Sequence, residues 1–291
     1  MKLAYLYNQA VKFGIERDPR SKKSALHSYA DTAILFGRPD TEVKKVLVGI
    51  DIDVGELLLA DKIRQEQGID LVLSHHPQGR AWAGLYQVMS LQIDLLLKVG
   101  IEKKLAQELL EERMNEVERK LMPHNHLRTQ DAARLLNLPF MCLHTPADNH
   151  AAYFIHRLLK KERPKKIKDI LEILTEIPEY KQAQKEAIGP RLILGSSKRP
   201  VGKIFVEMTG GTEGPKDIYN KFSQLGIRTL ISMHLSEEHF KKVKDANLNV
   251  VIAGHISSDT LGLNLLLDRI EKKANERLET IDCAGFRRIR H

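Results

Sequence analysis

Three short segments end in residues that bind metal ions in proteins, and each begins with an apolar run typical of a β-strand. The segments are VLSHHPQG at 72–79, PFMCLHTPADNH at 139–150 and NVVIAGHISSD at 249–259. Imidazole and carboxylate groups in this number and mixture are what a two-metal hydrolytic centre requires. The candidate residues of such a centre are His75, His76, His144, Asp148, His255 and Asp259.

His75 and His76 are adjacent, so their side chains would point to opposite faces if the strand continued through both. Pro77 and Gly79 favour a turn instead, which would allow each imidazole to bind a different ion. A pair of histidines in a loop without metal is the alternative.

Asp148 follows His144 by four residues, and Thr145-Pro146 between them favours a non-helical bend. Since a carboxylate has two oxygens and can bridge ions about 3.5–4 Å apart, we expect Asp148 to be the bridge. It could instead be the N-cap of a helix that begins at about Asn149. His144 is open to three roles: metal ligand, partner of a ligand, or group that polarises the substrate.

His255 and Asp259 are four residues apart at a junction between a strand and a helix. This spacing can bring both side chains to one side of the first helical turn, where they could share a metal ion. A plain contact between His and Asp is the alternative. Ser257 or Ser258 could cap the same helix.

Strand-like and helix-like segments alternate along the chain, which predicts an α/β fold. The segments 44–53 and 69–74 are typical of strands on either side of a helix at 56–67, which is a βαβ unit. The pattern restarts after a Gly-Pro break, which predicts two α/β lobes with central sheets, 1–188 and 189–291. Ligands of α/β sheets bind at the carboxyl ends of strands, so we expect the metal site at those ends.

A long helical insertion is predicted in the first lobe, at about 84–136. Within it Leu110, Met114, Val117 and Leu121 recur at helical spacing among charged residues. We expect this apolar stripe to be covered by the same chain or by another subunit.

The composition indicates a globular protein without a membrane span, because no apolar run approaches the about 18 residues that a span needs. Polar residues interrupt the N-terminal segment early, which argues against a signal peptide. Two cysteines, Cys142 and Cys283, cannot form a disulfide framework. We therefore expect a cytoplasmic protein.

The formal net charge of +8 would suit an anionic partner, such as a nucleotide, another phosphorylated small molecule or a nucleic acid. The many Lys, Arg and Glu residues with few aromatic ones (5%) also fit a heat-adapted protein with surface ion pairs, which needs no ligand. The densest basic run, KKERPKKIK at 160–168, has no aromatic residues for base stacking and is more typical of a solvated linker or helix end. A glycine-rich turn in KIFVEMTGGTEGPKDI, at 203–218, could hold a phosphate through backbone N–H groups or be a bare tight turn. It contains neither a Walker nor a Rossmann signature.

The motifs SHHP, HTPAD and GHISSD, with a TGG turn between the last two, resemble those of a known family. This is the GTP cyclohydrolase I type 2-like family, also called the NGG-interacting-factor-three-like family. The resemblance implies a two-lobed α/β fold, a dinuclear metal centre between the lobes and a ring-like homohexamer. The metal ligands that it implies are His75, His76, Asp148, His255 and Asp259.

The chain departs from the family's pattern at two places in the site. The final Glu of the last motif is Asp259 here, which is one methylene shorter. The family's T-G-[D/E] turn is Ser232-Met233-His234, so a histidine replaces an acidic residue.

Together these patterns predict a metal-dependent hydrolase with two divalent ions per chain, of Zn, Fe, Mn or Mg. Two bridged ions lower the pKa of a water molecule, and His144 or His234 would then transfer a proton or stabilise charge. Cyclohydrolase, phosphoesterase and amidase chemistry all fit this machinery. Two other functions stay open on sequence alone: a non-enzymatic metal-binding scaffold, with the helical insertion as its partner surface, and a nucleic-acid-binding regulator.

Overall fold

Two β-sheets organise the chain in a computed structural model that describes all 291 residues. The strands are β1 (Ala33–Phe36), β2 (Lys45–Gly49), β3 (Leu71–Ser74), β4 (Phe140–Cys142), β5 (Arg191–Leu194), β6 (Lys203–Glu207), β7 (Ile227–Ser232), β8 (Asn249–Ile252) and β9 (Glu279–Cys283). The helices are α1 (Leu3–Arg17), α2 (Val54–Gln67), α3 (Gly79–Ala83), α4 (Leu85–Val88), α5 (Gln92–Lys98), α6 (Lys103–Leu121), α7 (Arg128–Leu135), α8 (Thr145–Glu162), α9 (Ile167–Thr175), α10 (Pro178–Lys185), α11 (Tyr219–Gln224), α12 (Glu237–Asp245) and α13 (His255–Ala274). The predicted α/β class is confirmed.

The first sheet has the strand order β1-β4-β3-β2-β9, and only β1 runs antiparallel to its neighbour. The inner strands are continuous apolar runs because helices cover both of their faces. The predicted βαβ unit is confirmed: β2 and β3 are parallel, and α2 connects them. Asp53 caps α2 and forms a capping box with Glu56.

The second sheet repeats this arrangement with the order β5-β8-β7-β6, again with one antiparallel edge strand, β5. The parallel strands β6, β7 and β8 therefore all end at the same edge. Helices α11 and α12 contribute to the core on one face, and α8, α9 and α10 to the core on the other.

The last strand, β9, returns to the first sheet and pairs with β2 from Lys45↔Glu279 to Gly49↔Cys283. The sequence analysis predicts the C-terminal helix but not this strand. The domain limits 1–188 and 189–291 stay a prediction. The sheet pairing places residues 279–283, which lie beyond that limit, beside a strand of the first lobe.

Helices α8 and α13 pack against each other between the two sheets. Ala147 and Leu263 face the core of the first sheet, whereas Ile155 and Leu261 face the core of the second. The two helices approach closely at Gly262, where an added Cβ would lie 2.5 Å from the carbonyl oxygen of Ala147. Backbone contact therefore sets the distance between the two helices at this point.

The apolar stripe of α6 packs within the chain, where Leu110 and Val117 are buried beside Met89. The stripe needs no second subunit to cover it. None of the helices combines the length and the hydropathy that a membrane span requires.

We expect Gly262→Ala to lower the free energy of unfolding by about 1–3 kcal/mol, because the new methyl group must push backbone away from backbone. Urea unfolding followed by circular dichroism measures this. Gly55→Ala in α2 is the matched control, because its added Cβ would meet nothing within 4 Å. Equal unfolding free energies for the two variants would show that the helix contact is not a constraint.

Candidate metal centre

The ends of β3, β4 and β8 meet at the first turns of α8 and α13, and the candidate residues lie at this junction. His75 and His76 directly follow β3, and His144 is the N-cap of α8. Three groups have ligand atoms within 4.8 Å of one another: His75, His76 and His144; His76, His255 and Asp259; His75, Asp148 and Asp259. The structure therefore brings all six sequence candidates together in clusters that could bind metal.

The first part of the centre is buried and lies around His75. Nε2 of His75 is 3.3 Å from Oδ1 of Asp148 and 3.5 Å from Oδ1 of Asp259. The other oxygen of Asp148 is 3.7 Å from Nε2 of His144. Both oxygens of Asp148 therefore face this part of the centre.

The second part lies around the other oxygen of Asp259. Oδ2 of Asp259 is 3.4 Å from Nε2 of His76 and 3.5 Å from Nε2 of His255. The side chain of His255 is 40% exposed, whereas that of Asp259 is 1% exposed. Asp259 is thus the carboxylate that faces both parts, and the His255 side is the one open to solvent.

Three of the imidazoles are oriented by hydrogen bonds from Nδ1 to acceptors at strand ends. The bonds run from His75 to the carbonyl oxygen of Leu143 at 3.1 Å, from His76 to Asp51 at 2.6 Å and from His144 to Asp31 at 2.7 Å. Each bond fixes the proton on Nδ1 of the neutral ring and leaves the Nε2 lone pair directed at the centre. Metal-binding histidines in proteins are held in the same way.

The sequence analysis did not single out Asp31 and Asp51. Asp51 follows β2 by two residues, so the strand-end pattern that identified the histidines could also have identified it. Asp31 precedes β1, which is antiparallel to β4, so the start of β1 lies beside the end of β4. No sequence pattern predicted β1, and therefore none pointed to Asp31.

The donor atoms fit a divalent metal ion. Nε2 of His75, Oδ1 of Asp148 and Oδ2 of Asp259 are buried, and no hydrogen bond reaches any of them. A buried polar atom without a partner costs about 1–3 kcal/mol. Nitrogen and carboxylate-oxygen donors that converge in this way suit Zn, Fe or Mn.

The two buried carboxylates strongly favour positive charge on their neighbours. Burial lowers the pKa of His75, but the charges of Asp259 and Asp148 outweigh it and raise the pKa to about 10. Burial is likewise outweighed at His76, whose contacts with Asp259 and Asp51 raise its pKa to about 9. Burial dominates at His255, with a pKa of about 4. Because protons and metal ions compete for the same nitrogens, metal uptake must release protons.

The ends of the second sheet form the opposite wall of a small cavity of about 40 Å3 above the centre. His234 follows β7 here, and its ring centroid is 4.7 Å from that of His255. Glu213 lies 3.5 Å from Nδ1 of His234 and 3.3 Å from Nδ1 of His239. Glu213 raises the pKa of His234. Burial alone would raise the pKa of Glu213, but the two histidines outweigh this effect and lower it to about 2.

No protein-family model and no curated protein matches the chain. Among solved structures, a NIF3 superfamily protein from Sphaerobacter thermophilus has a TM-score of 0.79 at 26% identity, covering 95% of this chain and 97% of that chain. Reduced HcgD from Methanocaldococcus jannaschii has a TM-score of 0.56 at 17% identity, with 97% of both chains covered. Protein ybgI, described as of unknown function, has a TM-score of 0.55 at 14% identity, covering 99% of this chain and 100% of that chain. The similarity thus extends over nearly the whole chain. The resemblance to the NIF3-like family is confirmed.

Within this NIF3-like fold, Glu213 explains one departure from the family's motifs. The Ser232-Met233-His234 turn lacks the acidic residue of the family pattern, and Glu213 from the glycine-rich turn supplies a carboxylate next to His234. That turn is held by Gln92, whose side-chain NH₂ donates to the carbonyl oxygens of Gly210 and Thr212 at 2.8 Å each. The turn thus builds one wall of the candidate metal centre.

Two capping alternatives from the sequence are wrong. Helix α8 begins at Thr145, so Asp148 lies inside its first turn and is not the N-cap. Gly254 is the N-cap of α13, and the hydroxyls of Ser257 and Ser258 donate to its carbonyl oxygen from within the helix. His150, the last residue of the 139–150 segment, is buried on α8 and belongs to none of the metal-ligand clusters.

We expect Glu213→Gln to lower the pKa of His234, because the charge that stabilises its imidazolium is removed while its burial stays. An NMR pH titration of the His234 ring in chelator-treated protein measures the change. Since the folded-state pKa of His234 is raised, its contribution to stability is present at low pH and is lost as pH rises through that pKa. Glu238→Gln, which removes an exposed carboxylate paired with Lys216, should leave the titration unchanged. An unchanged His234 pKa in Glu213→Gln would refute the pairing.

Proposed function

We propose that this NIF3-like protein binds two divalent metal ions per chain and uses them in hydrolysis. The observation that carries the proposal is the position of Asp259, whose two oxygens face two different sets of imidazoles at 3.4–3.5 Å. The buried, unpartnered donor atoms and the oriented Nε2 lone pairs support the same conclusion. The likeness of fold to a NIF3 superfamily protein supports it further.

We assign one ion to His75, Asp148 and Asp259, and the other to His76, His255 and Asp259. This assignment makes Asp259 the bridge, in place of Asp148. Asp148 is the poorer bridge because both of its oxygens face the His75 side. Asp259 is one methylene shorter than the family's Glu, and its Oδ1 still lies 3.5 Å from Nε2 of His75.

When bound, divalent ions supply Lewis acidity, which lowers the pKa of a water molecule and polarises a scissile bond. His234, paired with Glu213, holds a proton at the partly exposed side of the cavity and can deliver it to a leaving group. His144 is fixed by Asp31 and directs its Nε2 toward Asp148. We propose that the Nε2 lone pair of His144 accepts a proton during the reaction.

We propose a nucleotide or another phosphorylated small molecule as the substrate class. The net charge of +8 favours an anionic substrate. The half-exposed edge around His255 and His234 gives access to the centre. Attack on a purine ring carbon, a phosphoester or an amide would use the same residues.

The oligomeric state and the cellular location that the sequence analysis predicts also remain proposals. The homohexamer rests on the family resemblance, and it gains support from exposed apolar side chains: Met122 and Leu127 between α6 and α7, and Leu135 at the end of α7. Static light scattering would measure the solution mass.

A cytoplasmic location is supported by Cys142 and Cys283, which are both free thiols.

The metal assignment predicts different losses from the two aspartates. We expect about two ions per chain in the reconstituted protein, about one in Asp148→Asn and almost none in Asp259→Asn, because a bridge serves both ions. Elemental analysis after dialysis against a mild chelator gives the counts. Asp40→Asn, at an exposed carboxylate paired with Arg38, is the matched control and should keep both ions.

If Asp148→Asn lost both ions and Asp259→Asn only one, Asp148 would be the bridge, as the sequence suggested. Fewer than two ions in the fully reconstituted protein would contradict the dinuclear proposal itself.

Hydrolysis is tested by a panel of nucleotides, phosphoesters and cyclic amides with the metal that the protein carries. We expect His234→Gln to lower kcat by about 10²–10⁴-fold, the range for loss of a general acid or base, with the metal content unchanged. The exposed His27→Gln should keep full activity. A fully loaded protein without turnover on any substrate class would favour the metal-binding scaffold over the enzyme.

A further inference from the structure

A groove of about 920 Å3 opens beside the middle of α8 and the second half of α13, and none of the candidate metal ligands lines it. The candidate ligands Asp148, His255 and Asp259 lie near the N-termini of these two helices, whereas the groove is lined by residues 150–157 of α8 and 265–272 of α13. Arg17 at the end of α1 completes one wall, and the segments around residues 275–277 and 290–291 complete the other.

The groove carries an excess of positive charge. Its cationic side chains are Arg17, Arg157, Arg269, Lys272, Arg277 and Arg290, against the carboxylates of Asp268, Glu271 and Glu276. All three carboxylates already have cationic partners outside this set: Asp268 and Glu271 bind the guanidinium of Arg288, and Glu276 binds the amino group of Met1 at 2.9 Å. They therefore offset little of the charge in the groove.

Four of the cations have no partner in the protein. Arg269 pairs with Glu16, and Arg290 pairs with Glu271. Neither an ion pair nor a hydrogen bond engages the side chains of the remaining four: Arg17, Arg157, Lys272 and Arg277. Like charges that line one concave surface repel each other unless an anion lies between them.

Aromatic rings hold two of the free guanidinium groups in position. The guanidinium of Arg17 lies 4.0 Å from the ring centroid of Tyr153, and that of Arg157 lies 5.9 Å from the same ring. Stacking of this kind fixes a guanidinium without consuming its charge. The N–H groups of Arg17 and Arg157 thus stay available to a ligand.

A buried histidine, His150, accepts a hydrogen bond from the guanidinium of Arg269. Nδ1 of His150 donates to the carbonyl oxygen of Pro146 at 2.7 Å, so its Nε2 is left to accept from Arg269 at 3.1 Å. Phe13 covers one face of the Arg269 guanidinium, 4.2 Å from the ring centroid. Side chains that are ordered before binding lose little entropy when a ligand arrives.

We propose that this groove binds a small anion with at least two phosphate or carboxylate groups. Planar guanidinium groups bind both kinds of anion through paired N–H donors, and four free cations exceed what a single anionic group can satisfy. The volume of the groove is that of a small-molecule site. A nucleic acid is the less favourable ligand, because the groove offers Tyr153 and Phe154 but no row of rings for successive bases.

Isothermal titration of the metal-loaded, full-length protein with inorganic pyrophosphate and with citrate tests the proposal. We expect saturable binding of at least one of them and weakening of about tenfold or more in Arg17→Ala/Arg157→Ala, since about 1.4 kcal/mol corresponds to a tenfold change. Lys272→Ala/Arg277→Ala, at exposed positions, should weaken binding without a risk to folding. The matched control is Lys241→Ala/Lys244→Ala on α12, which removes the same charge from exposed positions outside the groove.

The two probes distinguish the sources of the anion. Tighter binding of pyrophosphate assigns the groove to phosphates, and tighter binding of citrate assigns it to carboxylates. Both probes can also chelate metal, so the titrations are repeated on chelator-treated protein. A signal that disappears with the metal and is unchanged in both groove variants would overturn the proposal. So would a failure of both probes to bind, or binding of duplex DNA alone.

Discussion

Two carboxylates buried within reach of one imidazole are the constraint on which the centre of this molecule depends. Asp148 is 5% exposed and Asp259 is 1% exposed, and both contact His75. Burial of like charges is expensive unless positive charge is supplied nearby. Part of this positive charge comes from the N-terminus of α8, because Asp148 lies on its first turn, where the backbone dipoles favour negative charge. The convergent imidazoles, and the cations that they can bind, supply the remaining positive charge.

The orientation of the imidazoles does not depend on which cation is bound, because their acceptors belong to the framework of the first sheet. Asp51 follows β2, Leu143 follows β4, and Asp31 precedes the antiparallel strand β1. All three acceptors therefore lie at one edge of the sheet. A rigid edge with fixed hydrogen bonds keeps the ligand geometry within the narrow tolerance that metal coordination requires.

The sequence predicted the ligand candidates well because their signal is local: an apolar strand that stops at His or Asp, as before His75 and after β8. The topology rule for α/β sheets then places these ends together. What the sequence could not show is which carboxylate faces both sets of imidazoles, since that depends on how α8 packs on α13. Asp31 and Glu213 also escaped prediction, one because it precedes an unpredicted edge strand and the other because it lies in a turn. The returning strand β9 is short and half-exposed, so its apolar pattern is weak.

The pairing of β2 with β9 has a consequence for how the chain reaches its native state. These strands are far apart in the sequence, so the first sheet is complete only after residues 279–283 have been synthesised. Until then, one side of β2 presents unpaired backbone groups, the kind of open strand edge that recruits incorrect partners. Contacts between distant segments also form slowly, since the loop between them must close first. The first sheet therefore closes late, and β2 keeps one unpaired edge until residues 279–283 pair with it.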